Sequence, residues 1–205
     1  MGFFSWILGR QRPDHLSMGG LRAADPADVP APDAYPTAED LELRFSRSGM
    51  FHAEAIEQFA VSAAQFLRDG SDYRDVVATI VRSGDRLPPD RVRALGLPPS
   101  YLIGRDFSDG LITRDVVSAP GRLEDMIHLA CSRAAQLHAL RIFQKDNIRY
   151  VRLLSPRDVR QTALERRFSS RKITMAEATE LVTSRGDEMR RSTFAAVVDH
   201  ENRNG

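Results

Sequence analysis

The chain has 205 residues, of which 42% are hydrophobic, so it suits one domain with a tail and holds a core without disulfides or metals. Its formal charge of +1 gives no global field to draw it onto nucleic acid or an anionic membrane. A single cysteine, Cys131, excludes an intrachain disulfide and a Cys-based zinc site, and suits a reducing compartment.

The first ten residues carry Phe3, Phe4, Trp6, Ile7 and Leu8. They have no basic n-region and no small-residue cleavage site, so a signal peptide is not expected. Position 6 is Trp where a myristoylation pattern has Ser or Thr. No stretch approaches 18 consecutive apolar residues, and no transmembrane helix is expected. Residues 1–12 read as an apolar peptide. Residues 13–40 hold Pro13, Pro26, Pro30, Pro32 and Pro36 without any helical or strand period, which predicts a disordered linker. The folded body is then expected from Leu41 to His200, with a C-terminal sub-unit over 122–200.

In the body, Ile56, Phe59, Ala60, Ala63, Phe66 and Leu67 form an apolar stripe at helical spacing over His52–Asp69, closed by Gly70. Asp72 or Ser71 caps a second helix with Val76, Val77, Ile80 and Val81 inward. Pro88 and Pro89 open a short third helix that stops at Gly96. Residues 97–104 read as an ordered loop, and 111–118 as a short strand or turn. Arg122–Lys145 is the longest helix, with Leu123, Met126, Ile127, Ala130, Ala134, Leu137 and Arg141 along one side. The β-branched and aromatic run Ile148–Leu154 predicts a strand. Thr174-Met-Ala-Glu177 is a capping box, with Ile173 and Ala178 as its staple, for a last helix towards His200 with a break at Gly186. The fold class expected is mainly α, a compact helical domain with a small β element near 148–154 behind a disordered N-terminal arm.

Charge is unevenly spread. Between Arg133 and Lys172 there are eleven basic residues against three acidic ones, a net +8. Arg149, Arg152, Arg157, Arg160, Arg166, Arg167 and Arg171 are the candidate face for an anion or an acidic partner. The alternative is a dispersed, solvated set. The N-terminal Phe3, Phe4, Trp6, Ile7 and Leu8 are candidates for docking into a protein groove, for folding back on the chain, or for a membrane surface.

Catalytic signals are thin. Gly104 and Gly110 flank Arg-Asp-Phe-Ser-Asp, but no phosphate-binding glycine motif is present, and they read as turn glycines. His128, Cys131 and His138 share one side of the long helix, yet a buried structural cysteine is the favoured reading over a nucleophile or a metal ligand. Asp158, Glu165, Glu177 and Glu188 have no spacing that fixes a metal geometry. No catalytic residue, metal, cofactor or small-molecule substrate is therefore indicated.

The order long helix, strand Ile148–Leu154, Asp158-Val-Arg160 turn and helix start at Thr174–Ala178 resembles the C-terminal unit of minor head morphogenesis proteins of tailed phages. In that family an Asp-x-Arg turn opens a treble-clef-like knuckle with a Cys-x-x-Cys pair. Here Thr162 and Glu165 stand where the cysteines would be, and Ser170-Arg171 where a Gly-Lys turn would be. The resemblance implies an assembly role and a knuckle held without zinc.

The function expected is a non-enzymatic interaction or assembly protein with a protein partner, cytoplasmic or virion-associated. The alternatives are a metal-dependent nuclease acting on nucleic acid, and a peripheral membrane protein held by residues 3–8.

Overall fold

Residues 32–112, 115–155, 161–189 and 192–197 are described by the computed structural model of the chain. The candidate docking residues Phe3, Phe4, Trp6, Ile7 and Leu8, the linker up to Ala31, the candidate residues Arg157 and Arg160, and His200 lie outside them.

The first core is built by five helices and half of a sixth. Helix α1 (Ala38–Ser48) opens on a reciprocal cap: the Thr37 hydroxyl accepts from the Asp40 N–H at 3.2 Å, and the Asp40 carboxylate accepts from the Thr37 N–H at 3.3 Å. Helix α2 (Ala53–Arg68), helix α3 (Tyr73–Val81, capped by Asp72) and helix α4 (Pro89–Ala94, with proline in its first turn) fall where the periodicity places them. Helix α5 (Arg105–Gly110) lies in the segment read as turn glycines. Gly104 is demanded by close approach, since a Cβ there would sit 1.8 Å from the Ser83 carbonyl oxygen. Segment 97–104 has no helix or strand, and Leu111 makes one antiparallel bridge with Phe51. Phe51 is the hub of the core: Phe45, Phe59 and Phe107 meet its ring edge-to-face at 5.7, 5.3 and 6.0 Å.

The folded body starts before the expected boundary at Leu41. A 3-10 turn at Pro32–Ala34 leads into Tyr35, which packs on the first core, and into the buried Pro36. A proline-rich strap shows no helical or strand period, yet it docks at low entropic cost because its φ angles are already restricted.

Helix α6 (Ala119–Lys145) belongs to two cores. Leu123, Ile127 and Ala130 are buried in the first; Leu140 is buried in the second, with Leu137 and Phe143 packed against it. At about 100° per residue, Leu140 stands roughly 100° around the axis from Leu123. The single stripe expected through Ala134 and Arg141 is thus two stripes, and Arg141 is exposed.

After Asn147, whose φ of +57° turns the chain, strand β1 (Tyr150–Leu154) runs through the middle of a three-stranded antiparallel sheet. One neighbour is the two-residue strand β2 (Ile173–Thr174), with Val151 opposite Ile173. The other is β3 (Thr193–Val197), with Arg152 opposite Ala195 and Leu153 opposite Phe194. Helix α7 (Ala163–Ser169) and helix α8 (Met175–Arg185) complete the second core, where Val151, Leu153, Leu164, Phe168, Ile173, Val182 and Phe194 are buried together. The expected staple residues Ile173 and Ala178 are both buried there, although Glu177 turns its carboxylate to Arg171 and only the Thr174 hydroxyl caps the helix.

The last helix does not run to His200. It stops at Arg185, a 3-10 turn covers Gly186–Glu188, and residues 193–197 form β3. Thr193, Phe194 and Val197 suit a strand, and β1 offers five consecutive pairing partners. Pairing with β1 satisfies the backbone of both strands, which local helical preference alone cannot do for β1.

Candidate functional site

The two faces of the sheet differ. Val151, Leu153, Ile173 and Phe194 turn into the second core. Tyr150, Arg152 and Leu154 alternate with them and are exposed, alongside exposed Thr174 and Thr193 and half-buried Ala195 and Val197 on the flanking strands. Tyr150 and Leu154 keep 38% and 45% of their surface in solvent, which is high for side chains of this size on a sheet. Helices α7 and α8 pack against the side that carries Val151, Leu153, Ile173 and Phe194.

The candidate arginines divide between this open side and the helices. Arg152 stands on the sheet between Tyr150 and Leu154, and Arg149 lies just before the strand. Arg166 and Arg167 are exposed on α7, whose Leu164 and Phe168 pack under the opposite face of the sheet. Arg167 lies over the Phe168 ring at 5.5 Å, and Arg171 lies over the same ring at 4.7 Å while pairing with Glu177. Arg149, Arg152 and Arg166 make no ion pair among the described residues. The set is therefore not one continuous patch: Arg149 and Arg152 are on or beside the open sheet, Arg166 and Arg167 are on the far layer, and Arg171 is committed to a structural contact.

Polar residues that are buried gather at one place. Glu165, Gln136 and Ser192 are 6%, 5% and 4% exposed. Thr162 and Glu165 form a capping box at the start of α7: the hydroxyl accepts from the Glu165 N–H at 3.1 Å and the carboxylate accepts from the Thr162 N–H at 2.7 Å. The second carboxylate oxygen accepts from the Ser192 hydroxyl at 2.5 Å. The Gln136 amide on α6 donates to the carbonyls of Met189 and Ser192 at 3.0 and 2.7 Å. Ser155, at the end of β1, meets Ser192 at 3.0 Å. This network ties α6, α7 and the approach to β3 together. Sequence reasoning met Thr162 and Glu165 where the resembled family has cysteines, and Glu165 among carboxylates without a metal spacing; the Thr-x-x-Glu spacing was the signal for a helix start.

The other chemical candidates are occupied or separated. Burial pushes the Cys131 thiol up to about 11, with the Asp72 carboxylate adding to it, so the thiolate is scarce near neutral pH. The His128 ring packs at 5.0 Å on Tyr73, whereas the His138 Nδ1 lies 2.9 Å from the Asp33 carboxylate. Ten residues of α-helix separate the two imidazoles by about 15 Å along the axis, too far for one ion. Of the carboxylates, Glu165 is turned inward, Glu177 pairs with Arg171, and Glu188 pairs with Arg185 at 2.6 Å. Among the described residues no group of three or more His, Cys, Asp or Glu is placed to hold a metal ion. Nor is any described helix long and apolar enough to cross a membrane.

No protein-family model, curated protein or solved structure matches the chain.

Proposed function

We propose that this chain is a non-enzymatic interaction or assembly protein that docks an acidic protein surface on the open side of its C-terminal sheet. The observation that carries the reading is the outward row Tyr150, Arg152 and Leu154. It is an arginine without an ion pair among the described residues, between two large side chains left in water. Aromatic and arginine side chains are the types most enriched at protein interfaces, and Arg149 adds a second cation beside them. The assembly part of the reading is supported by element order. Helix α6 leads into β1, and a helix opens at Thr174, in the order of the phage head morphogenesis proteins the sequence resembles. Where that family has cysteines, this chain closes a helix cap with Thr162 and Glu165.

The test uses fluorescence anisotropy with two labelled probes, a polyglutamate peptide and a short DNA duplex, across a salt series. The peptide should bind with affinity that falls with salt. The pair Arg149→Glu and Arg152→Glu should weaken binding at least tenfold, and Arg166→Glu with Arg167→Glu should change it much less. Preferential binding of the duplex with a steep salt slope would favour the nucleic-acid reading instead. Cleavage of the duplex with Mg²⁺ or Mn²⁺ would overturn the non-enzymatic one.

A further inference from the structure

Strand β3 is an edge of the sheet, whose order is β2-β1-β3. Its pairing with β1 runs through five consecutive residues without a bulge. Among the described residues, nothing but β1 hydrogen-bonds to residues 193–197. Alternate N–H and C=O groups of β3 point away from β1 and are left for another partner. The opposite edge, β2, has only two residues and is too short to template a strand. Edges as long as β3 are ordinarily blunted by charged side chains, proline or a bulge. The sequence Thr-Phe-Ala-Ala-Val carries neither charge nor proline, so this edge is built to accept a strand.

The open face decides which strand fits. Arg152 on β1 stands directly opposite Ala195, whose side chain is a single methyl. A strand added beyond β3 lies two strand spacings from β1, roughly 10 Å. An arginine extended across the Ala195 methyl meets a glutamate reaching back from that strand. Two residues to either side, Leu154 is opposite Thr193 and Tyr150 is opposite Val197, and both large side chains are exposed. The strand that complements this face is apolar, acidic and apolar at alternate positions. A second copy of β3 is the poorer occupant. Antiparallel pairing of two β3 strands turns the same face of both sheets to one side and sets the Arg152 of each copy on one surface. The described residues of that face hold no carboxylate to offset them.

We infer that β3 takes up an extended acidic segment of a partner protein as a fourth strand, with a carboxylate of that segment paired to Arg152 across Ala195. The inference rests on the docking reading above and names the form of the partner. Backbone hydrogen bonds to the edge supply affinity, and the alternate side chains supply selectivity.

The probe is a labelled heptapeptide, Glu-Val-Thr-Glu-Thr-Val-Glu, whose anisotropy is followed with the full-length protein. It should bind, with affinity that falls as salt rises. Two N-methylated forms separate edge pairing from surface docking: one blocks the amides of the second, fourth and sixth residues, the other those of the third and fifth. In an added strand only one of these sets faces β3. One form should therefore lose about tenfold or more and the other less than about threefold. Ala195→Glu sets a carboxylate opposite Arg152 and should weaken the parent peptide about tenfold with an unchanged circular dichroism spectrum. If that variant fails to fold, the methylated peptides decide. Equal effects of the two methylations would overturn strand addition; the docking reading survives that result if Arg149→Glu with Arg152→Glu still weakens the peptide. A peptide that does not bind overturns the inference as well, and polyglutamate then shows whether the docking reading stands. A free protein that is dimeric in sedimentation equilibrium and monomeric as Ala195→Glu would place a second copy on the edge and equally overturn it.

Discussion

Replacing Glu165 by alanine tests whether the buried polar network holds the C-terminal unit together. The carboxylate is 6% exposed and accepts two hydrogen bonds, from the Thr162 N–H at 2.7 Å and from the Ser192 hydroxyl at 2.5 Å. Losing the first removes half of a helix cap, about 1 kcal/mol, because Thr162 is exposed and water can take over its N–H. Losing the second costs about 1–3 kcal/mol, since the Ser192 hydroxyl stays buried without that acceptor. The sum is about 3 kcal/mol. For a body of this size that lowers the melting temperature by roughly 6–12 °C. Glu165→Gln keeps the shape and one acceptor oxygen, so it should lose only about 1 kcal/mol. Urea unfolding followed by circular dichroism measures both, provided the denaturant slope is unchanged. Ser192→Ala should cost less alone than Glu165→Ala and add little on top of it, because both delete the same bond. A Glu165→Ala variant within about 0.5 kcal/mol of the parent, the range of ordinary surface substitutions, would show that the network does not bear on stability.

Two further outcomes follow from titratable groups. Burial first, and Asp72 second, raise the Cys131 thiol to about 11, so below that pH the thiol is neutral; the native protein should react with iodoacetamide far more slowly than the unfolded chain, and comparable rates at neutral pH would refute the assignment. The His138 side chain, more than any other, holds the Asp33 carboxyl below its usual value. A depressed carboxyl stabilises the strap above the unfolded pKa of about 4 and loses that contribution as pH falls through the lower folded value. Hydrogen exchange over residues 32–37 should therefore quicken selectively at the acid end, and Asp33→Asn should show the faster exchange already at pH 7.

Long periodic segments were legible in the sequence. Helices α2, α3 and α4 and the body of α6 announce themselves by apolar spacing, by Asp72 and Pro89 at their starts, and by glycines that take positive φ, such as Gly70 at +87° and Gly96 at +78°. Strand β1 was readable from its β-branched and aromatic run. Less accessible was whatever depends on a distant partner. Only the first three residues of helix α1, Ala38–Asp40, were absorbed into the linker, because its start follows a proline-rich strap whose docking relies on Tyr35 reaching the first core, and the rest was read simply as the start of the body. Strand β3 contains Ala195 and Ala196, good helix formers, and becomes a strand through its pairing with residues 150–154. The buried network joins positions 136 and 165 on two helices to position 192 just before β3, and no local spacing relates them. The arginines were correctly seen as a dense run, but a run along the chain does not fix the side on which each points. Alternation along β1 sends Arg152 to the open face, while Arg166 and Arg167 leave from a helix on the other layer.

Because α6 is shared by two cores that meet it about 100° apart around its axis, the stretch from Cys131 to Ala135 sets the angle between them. Substitutions there change one side chain at a time, but inserting or deleting a single residue rotates everything beyond it by about 100°. Such a change would turn Leu140 away from Val151 and Phe168, and the strap at Asp33 would lose its line with His138 and Arg141. In evolutionary terms this segment should tolerate changes of identity and resist changes of length, whereas an insertion at the exposed end of α8, near Arg185 and Gly186, shifts no shared axis. Length variation among descendants of this fold is therefore expected outside α6, and the helix acts as the gauge by which the two halves stay in phase.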